Sequence, residues 1–103
     1  MEKIVNLKDI KKGESMGFTY KGEKAILIRT KKDELAAYVA ICPHEGGTIE
    51  WDEKIHMILC ECHLSLFNFE DGSLYRHSSV FELDEGLTKI DLSVDEKKDI
   101  FAL

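Results

Sequence analysis

The sequence predicts an all-β protein, built as an antiparallel sandwich or barrel. Three observations carry that prediction. Residues 14–20 place Met16, Phe18 and Tyr20 at alternate positions, the period of a half-buried strand. Apolar runs of strand length recur every eight to twelve residues with turn signals between them. No long stretch carries the 3.6-residue period of a helix.

Taken in order, residues 3–7 are expected as an apolar edge strand, and Asn6 to Ile10 fit one helical turn. Lys12-Gly13 turns the chain into the strand 14–20. Lys21 to Lys24 make a hairpin turn before a buried strand over 25–30, centred on Ile26, Leu27 and Ile28. A charged turn at 31–34 leads to a third strand, 35–41, that runs straight into Cys42. Residues 48–51 form a short strand, 55–59 a strand that delivers Cys60, and 66–69 the strand that leaves the second cysteine loop. Glu70-Asp71-Gly72-Ser73 is a turn, and 74–79 reads as a loop. Residues 80–83 and 87–92 read as a hairpin around Asp84-Glu85-Gly86, and 99–103 as a closing strand after the charged stretch 95–98. No repeat or linker interrupts this order, so residues 1–103 are expected as a single domain.

A chain of 103 residues can bury a real core, yet is near the size at which an inserted metal centre adds useful stability. Hydrophobic content of 44% with one proline reads as globular. No apolar run approaches the roughly 20 residues of a membrane-spanning helix. Residues 1–6 carry no apolar signal core, so a cytoplasmic, unprocessed protein is expected, with no membrane association. Fourteen Lys plus Arg against twenty Asp plus Glu give a formal charge of −6, which argues against nucleic acid and suits a basic partner.

The chemistry lies in two short loops. One reads Cys42-Pro43-His44-Glu45-Gly46-Gly47, the other Cys60-Glu61-Cys62-His63-Leu64-Ser65. The pattern is C-x-H, fifteen intervening residues, then C-x-x-H. Three cysteines, an odd count set beside histidines, favour metal binding over a disulfide framework. Two thiolates and two imidazoles can hold zinc or an iron–sulfur cluster. Structural zinc usually takes paired cysteines on one knuckle and paired histidines on another element. Here each loop is mixed, an arrangement that can send both thiolates to one iron and both imidazoles to a second.

These four residues, in this order and spacing, closely resemble the Rieske [2Fe–2S] motif. The resemblance covers about residues 38–69, and the run from Val39 to His44 together with His63 to Asn68 looks like the small Rieske ferredoxins of multicomponent aromatic monooxygenases and the archaeal Rieske-type ferredoxins. It implies a Rieske-type antiparallel β sandwich or barrel with a small cluster-binding subdomain inserted, at approximately 41–69. It implies one [2Fe–2S] cluster per chain, with Cys42 and Cys60 on the inner iron and His44 and His63 on the outer. Ser65 stands where high-potential members place a serine that donates to a bridging sulfide. Phe67 stands where they place a tyrosine, and phenylalanine cannot donate. Cys62 matches half of those members' inter-loop disulfide, but the other half falls at Gly47, so the bridge is absent. Leu64 replaces a frequent glycine, and 74–79 lacks the proline of the family's covering loop. A low to intermediate reduction potential follows from one tuning bond retained and two features lost.

The expected protein is a soluble ferredoxin that takes single electrons from a flavin-containing NAD(P)H reductase and delivers them to a terminal oxygenase, or to another oxidoreductase as acceptor. It is not an enzyme alone and has no catalytic residues. The alternative is a Rieske-fold regulatory or interaction subunit of a larger oxidoreductase. Plainer roles are weighed beside these: Cys62 as a small packed or semi-exposed thiol, Ser65 as a loop cap, His56 and His77 as ordinary histidines, Trp51 as packing, and the four ligands as a zinc site.

Overall fold

Residues 2–40, 49–60, 65–76 and 86–103 are described in this computed structural model. Eleven strands are seen among them: β1 Glu2–Asn6, β2 Glu14–Tyr20, β3 Glu23–Arg29, β4 Leu35–Val39, β5 Ile49–Asp52, β6 Met57–Cys60, β7 Ser65–Asn68, β8 Leu74–Arg76, β9 Lys89–Ile90, β10 Leu92–Val94 and β11 Asp99–Ala102. A single 3-10 turn at Leu7–Asp9 realises the expected helical turn, capped by the Asn6 side chain, which accepts from the Lys8 N–H. The strands pair antiparallel in three sheets, ordered β1–β11–β10, β2–β3–β4–β9 and β5–β6–β7–β8.

The run Ala25-Ile26-Leu27-Ile28 is apolar without alternation because β3 is covered on both faces. Ala25 and Leu27 pack with Ile10, Ala37, Ile90, Ile100 and Ala102, against the terminal sheet. Ile26 and Ile28 pack with Tyr38, Ile49, Ile58, Cys60, Phe67 and Phe69, against the third sheet. The β2–β3 connection is a two-residue loop, with Lys21 at φ 49° and Gly22 at φ 82°, whose twist matches the flanking strands. Arg29 anchors the 3-10 turn: it donates to the carbonyls of Leu7 at 3.0 Å and Ile10 at 2.7 Å, and pairs with Asp33 at 2.7 Å.

β4 and β9 are neighbours in the central sheet, with Ala37 opposite Ile90 and Tyr38 opposite Lys89. The whole β5–β8 sheet is therefore inserted between two adjacent strands. Three expectations change. The strand expected at 55–59 begins at Met57, because a tight turn, with Asp52 accepting from the Lys54 N–H and His56 at φ 56°, occupies the preceding residues. Residues 74–76, expected as loop, form β8. Tyr75 and Arg76 give no apolar alternation, but the turn before them imposes the pairing: Gly72 donates to the Asn68 carbonyl and Asn68 to that of Ser73, both at 2.8 Å. The strand expected over 87–92 is split, since Lys89–Ile90 joins the central sheet and Leu92–Val94 pairs with β11. The expected strand at 80–83 lies outside the described residues.

Gly72 sits at φ 76°, and a Cβ there would lie 2.6 Å from Tyr38 Cε1, whereas Gly22 at φ 82° faces open space. Gly22→Ala should cost about 1–2 kcal/mol, the left-handed strain alone. Gly72→Ala should cost about 2–5 kcal/mol, strain plus overpacking. Urea midpoints of the two variants test this ordering.

Candidate metal centre

The candidate site is built from one row of the inserted sheet. Ile49 lies opposite Cys60 in the β5–β6 pair, and Cys60 opposite Ser65 in the β6–β7 pair. All three are buried. The segment 41–48 ends at Ile49, and the segment 61–64 joins Cys60 to Ser65, so both cysteine–histidine segments attach to this row. The segment 77–85 departs from Arg76, which is paired with Leu66 beside the same row. The register thus sets at one end of one sheet Ile49, Cys60 and Ser65, the described residues to which the two stretches singled out by the sequence attach. Of the predicted ligands, Cys60 is described, at the end of β6 and fully buried. Cys42, His44 and His63 lie outside the described residues, as do Cys62 and His77.

Strand alternation sends Ile58, Cys60, Ser65 and Phe67 into the core, where they meet Ile49 and Phe69. Phe67 is fully buried two positions from Ser65, so the neighbourhood of the row is apolar. In that setting the Ser65 hydroxyl has no hydrogen-bond partner among the described residues. A buried hydroxyl without a partner costs roughly 1–3 kcal/mol, and such an atom marks a place where another group belongs.

The far end of the insert is fixed to the body of the protein. The Tyr38 hydroxyl, fully buried on β4, donates to the Phe69 carbonyl at the end of β7. Burial pushes this phenol above its ordinary value, with the Asp71 and Glu70 carboxylates adding to the effect, so it remains a donor. Leu87 donates to the Gly72 carbonyl at 2.8 Å, which seats the returning chain on the same turn. Trp51 donates from Nε1 to Glu53 at 3.2 Å, and the same carboxylate oxygen accepts from the Lys31 N–H at 3.3 Å, tying the β5–β6 hairpin to the central sheet. Trp51 and Phe69 close around the half-buried His56 ring, at 5.2 and 5.1 Å between centroids. His56 and Trp51 are therefore packing residues. Tyr38 went unmarked in the sequence, where its only signal was an aromatic residue in an apolar strand.

A family model for the Rieske [2Fe-2S] domain matches residues 1–85. The cytochrome b6-f complex iron-sulfur subunit of Chlorobaculum tepidum is 30% identical over 83 residues, which are 81% of this chain and 45% of that protein. The chain thus spans less than half the length of this relative. Among solved structures, the ferredoxin of carbazole 1,9a-dioxygenase from Nocardioides aromaticivorans superposes with a TM-score of 0.78 at 18% identity, over 99% of this chain and 97% of that one. The plasma membrane Rieske protein of Synechocystis gives a TM-score of 0.81 at 14% identity, over 100% and 99%. These likenesses establish a common fold.

If the Tyr38 hydroxyl holds β7 in place, Tyr38→Phe leaves the Phe69 carbonyl unpaired and should destabilise the protein by about 1–3 kcal/mol, while the ring still fills the space beside Gly72. Urea unfolding measures this, and an unchanged midpoint would remove the tie.

Proposed function

The chain belongs to the Rieske [2Fe–2S] family, and on that premise we propose that it is a soluble cytoplasmic ferredoxin, passing single electrons from a flavin-containing NAD(P)H reductase to a terminal oxygenase. Rieske domains carry a [2Fe–2S] cluster. We assign Cys42 and Cys60 to its inner iron and His44 and His63 to its outer iron, within a single domain spanning 1–103. The observation that carries the reading is the unpartnered hydroxyl of Ser65, set in the same buried row as Cys60. A bridging sulfide is an acceptor, and this donor has no other claim on it among the described residues.

When bound, the cluster supplies a one-electron site in the range of about −150 to +300 mV, set by two imidazole ligands in place of thiolates. The chain's residues do the rest. Cys60 offers its thiolate from a strand end, where the β-ladder fixes its direction. Ile49, Ile58 and Phe67 keep water from the inner side. Ser65 donates a hydrogen bond that favours the more negative, reduced state. Phe67 adds no second donor, which keeps the potential low to intermediate within that range. We assign Cys62 no ligand role.

No helix among the described residues is long and apolar enough to cross a membrane. Catalysis, in this reading, belongs to the acceptor. A second reading is favoured by the 30% identity to the cytochrome b6-f subunit: a Rieske-fold subunit resident in a larger oxidoreductase, where the fold serves docking or regulation. A carrier purifies alone with a reversible one-electron wave, whereas a resident subunit is recovered with its complex.

The purified protein should contain two irons and two acid-labile sulfides per chain. One zinc and no sulfide would overturn the assignment. Ser65→Ala should keep the cluster and lower its potential by about 40–90 mV, the equivalent of about 1–2 kcal/mol lost from the reduced state. Cys62→Ser should leave the visible spectrum and the potential unchanged, and loss of the cluster would make Cys62 a ligand.

A further inference from the structure

The outward face of the inserted sheet departs from the pattern expected of it. An antiparallel sheet with one face on a core normally reads polar on the other. β5 follows that rule, with Glu50 and Asp52 alternating with Ile49 and Trp51. β6 and β7 do not. Their outward positions are Met57, Leu59, Leu66 and Asn68, all half-buried, and three of the four are apolar. The register sets Leu59 directly between Glu50 and Leu66, so the three form one row. That row lies one residue from the Ile49–Cys60–Ser65 row. At the sheet's far edge Tyr75 is the extra residue of the β7–β8 irregularity and is 62% exposed.

Charge is segregated in the same sense. Residues 41–88 hold ten Asp and Glu against only Lys54 and Arg76, while the rest of the chain holds twelve Lys and Arg against ten Asp and Glu. The net negative charge is therefore carried by the insert, and the body of the protein is slightly positive. A groove lined by Glu50, Asp52, Glu53 and Leu59, with Lys54 at its side, runs along the β5 edge and extends the acidic margin.

The geometry points to this face, with Leu59 and Leu66 at its centre and Glu50 and Asp52 on its rim, as the docking surface for a redox protein whose electron port is an apolar patch ringed by lysine and arginine. Apolar contact at the centre supplies affinity, and the acidic rim supplies orientation and encounter rate. A second copy of this chain fits poorly, because two anionic inserts repel. An anionic membrane or a nucleic acid is disfavoured for the same reason. The charge separation also turns the insert, and not the body of the protein, toward an approaching cationic partner. The inference rests on the electron-carrier reading. The step it serves is the transfer of one electron, in which the donor is oxidised, the partner's centre is reduced, and no bond or proton changes hands.

The test uses the cluster-loaded protein, reduced with dithionite and mixed by stopped flow with ferric cytochrome c, a one-electron acceptor with a lysine-rich rim. The second-order rate should fall about tenfold between low and high salt. Glu50→Lys should slow the reaction severalfold at low salt, while Glu2→Lys, the same charge change on the body of the protein, should leave it within about twofold of the parent. Leu66→Gln should slow it at every salt concentration with the reduction potential unchanged. If Leu66→Gln lowers the urea midpoint, Tyr75→Ala replaces it as the variant expected to slow transfer. A salt-independent rate, or equal effects of Glu50→Lys and Glu2→Lys, would overturn the docking face. So would a dimer in sedimentation that Leu66→Gln dissolves, since the face would then join two copies. A protein that accepts no electron from dithionite would instead end the carrier reading, before docking is reached.

Discussion

Burial of two adjacent strands on both faces is the constraint on which the structure depends. β3 and β4 carry apolar side chains to either side, so each needs a sheet above and a sheet below. The terminal sheet covers one face, and the inserted sheet covers the other. The insert is thus more than an appendage that carries a site. Its core residues Ile49, Ile58, Phe67 and Phe69 complete the second core around Ile26, Ile28 and Tyr38. The same side chains that stabilise the fold hold the β5–β6–β7 row in register, and that register sets the attachment points of both cysteine–histidine segments, Ile49, Cys60 and Ser65, at one end.

The insert has two ends with opposite chemistry. At one, the Phe69 carbonyl takes the Tyr38 hydroxyl, Gly72 lies against the Tyr38 ring, and aromatic rings enclose His56. Among the described residues, its buried side-chain polar groups are partnered. At the other, Ser65 is sealed from water with its hydroxyl unpaired among the described residues. Native proteins pair buried polar atoms in the great majority of cases, so an exception beside a buried cysteine reads as a place kept for an acceptor.

Much of this was legible in the sequence. The alternation at Met16, Phe18 and Tyr20 gave β2 with its observed ends, and the apolar run from Ala25 to Ile28 gave a buried strand, whose cover on both faces the structure adds. Cys60 and Ser65 stood out through motif spacing. What escaped was set by contacts between distant residues. β8 carries Leu74, Tyr75 and Arg76, a trio with no apolar period, and is a strand only because β7 pairs with it. The split between β9 and β10 at Asp91 answers to two different sheets, which a single run of residues cannot encode. Tyr38 looked like any strand aromatic, and its role emerged only when Phe69, thirty-one residues on, was found to offer it a carbonyl.

The central claim is that the chain grips two bridged irons unevenly, with thiolates on one and imidazoles on the other. Electron–nuclear double resonance on the reduced protein, labelled with nitrogen-15 only in histidine, tests it most directly. Two strongly coupled histidine nitrogens are expected on the reduced centre. A reduced iron–sulfur signal with no histidine nitrogen coupled to it would contradict the account.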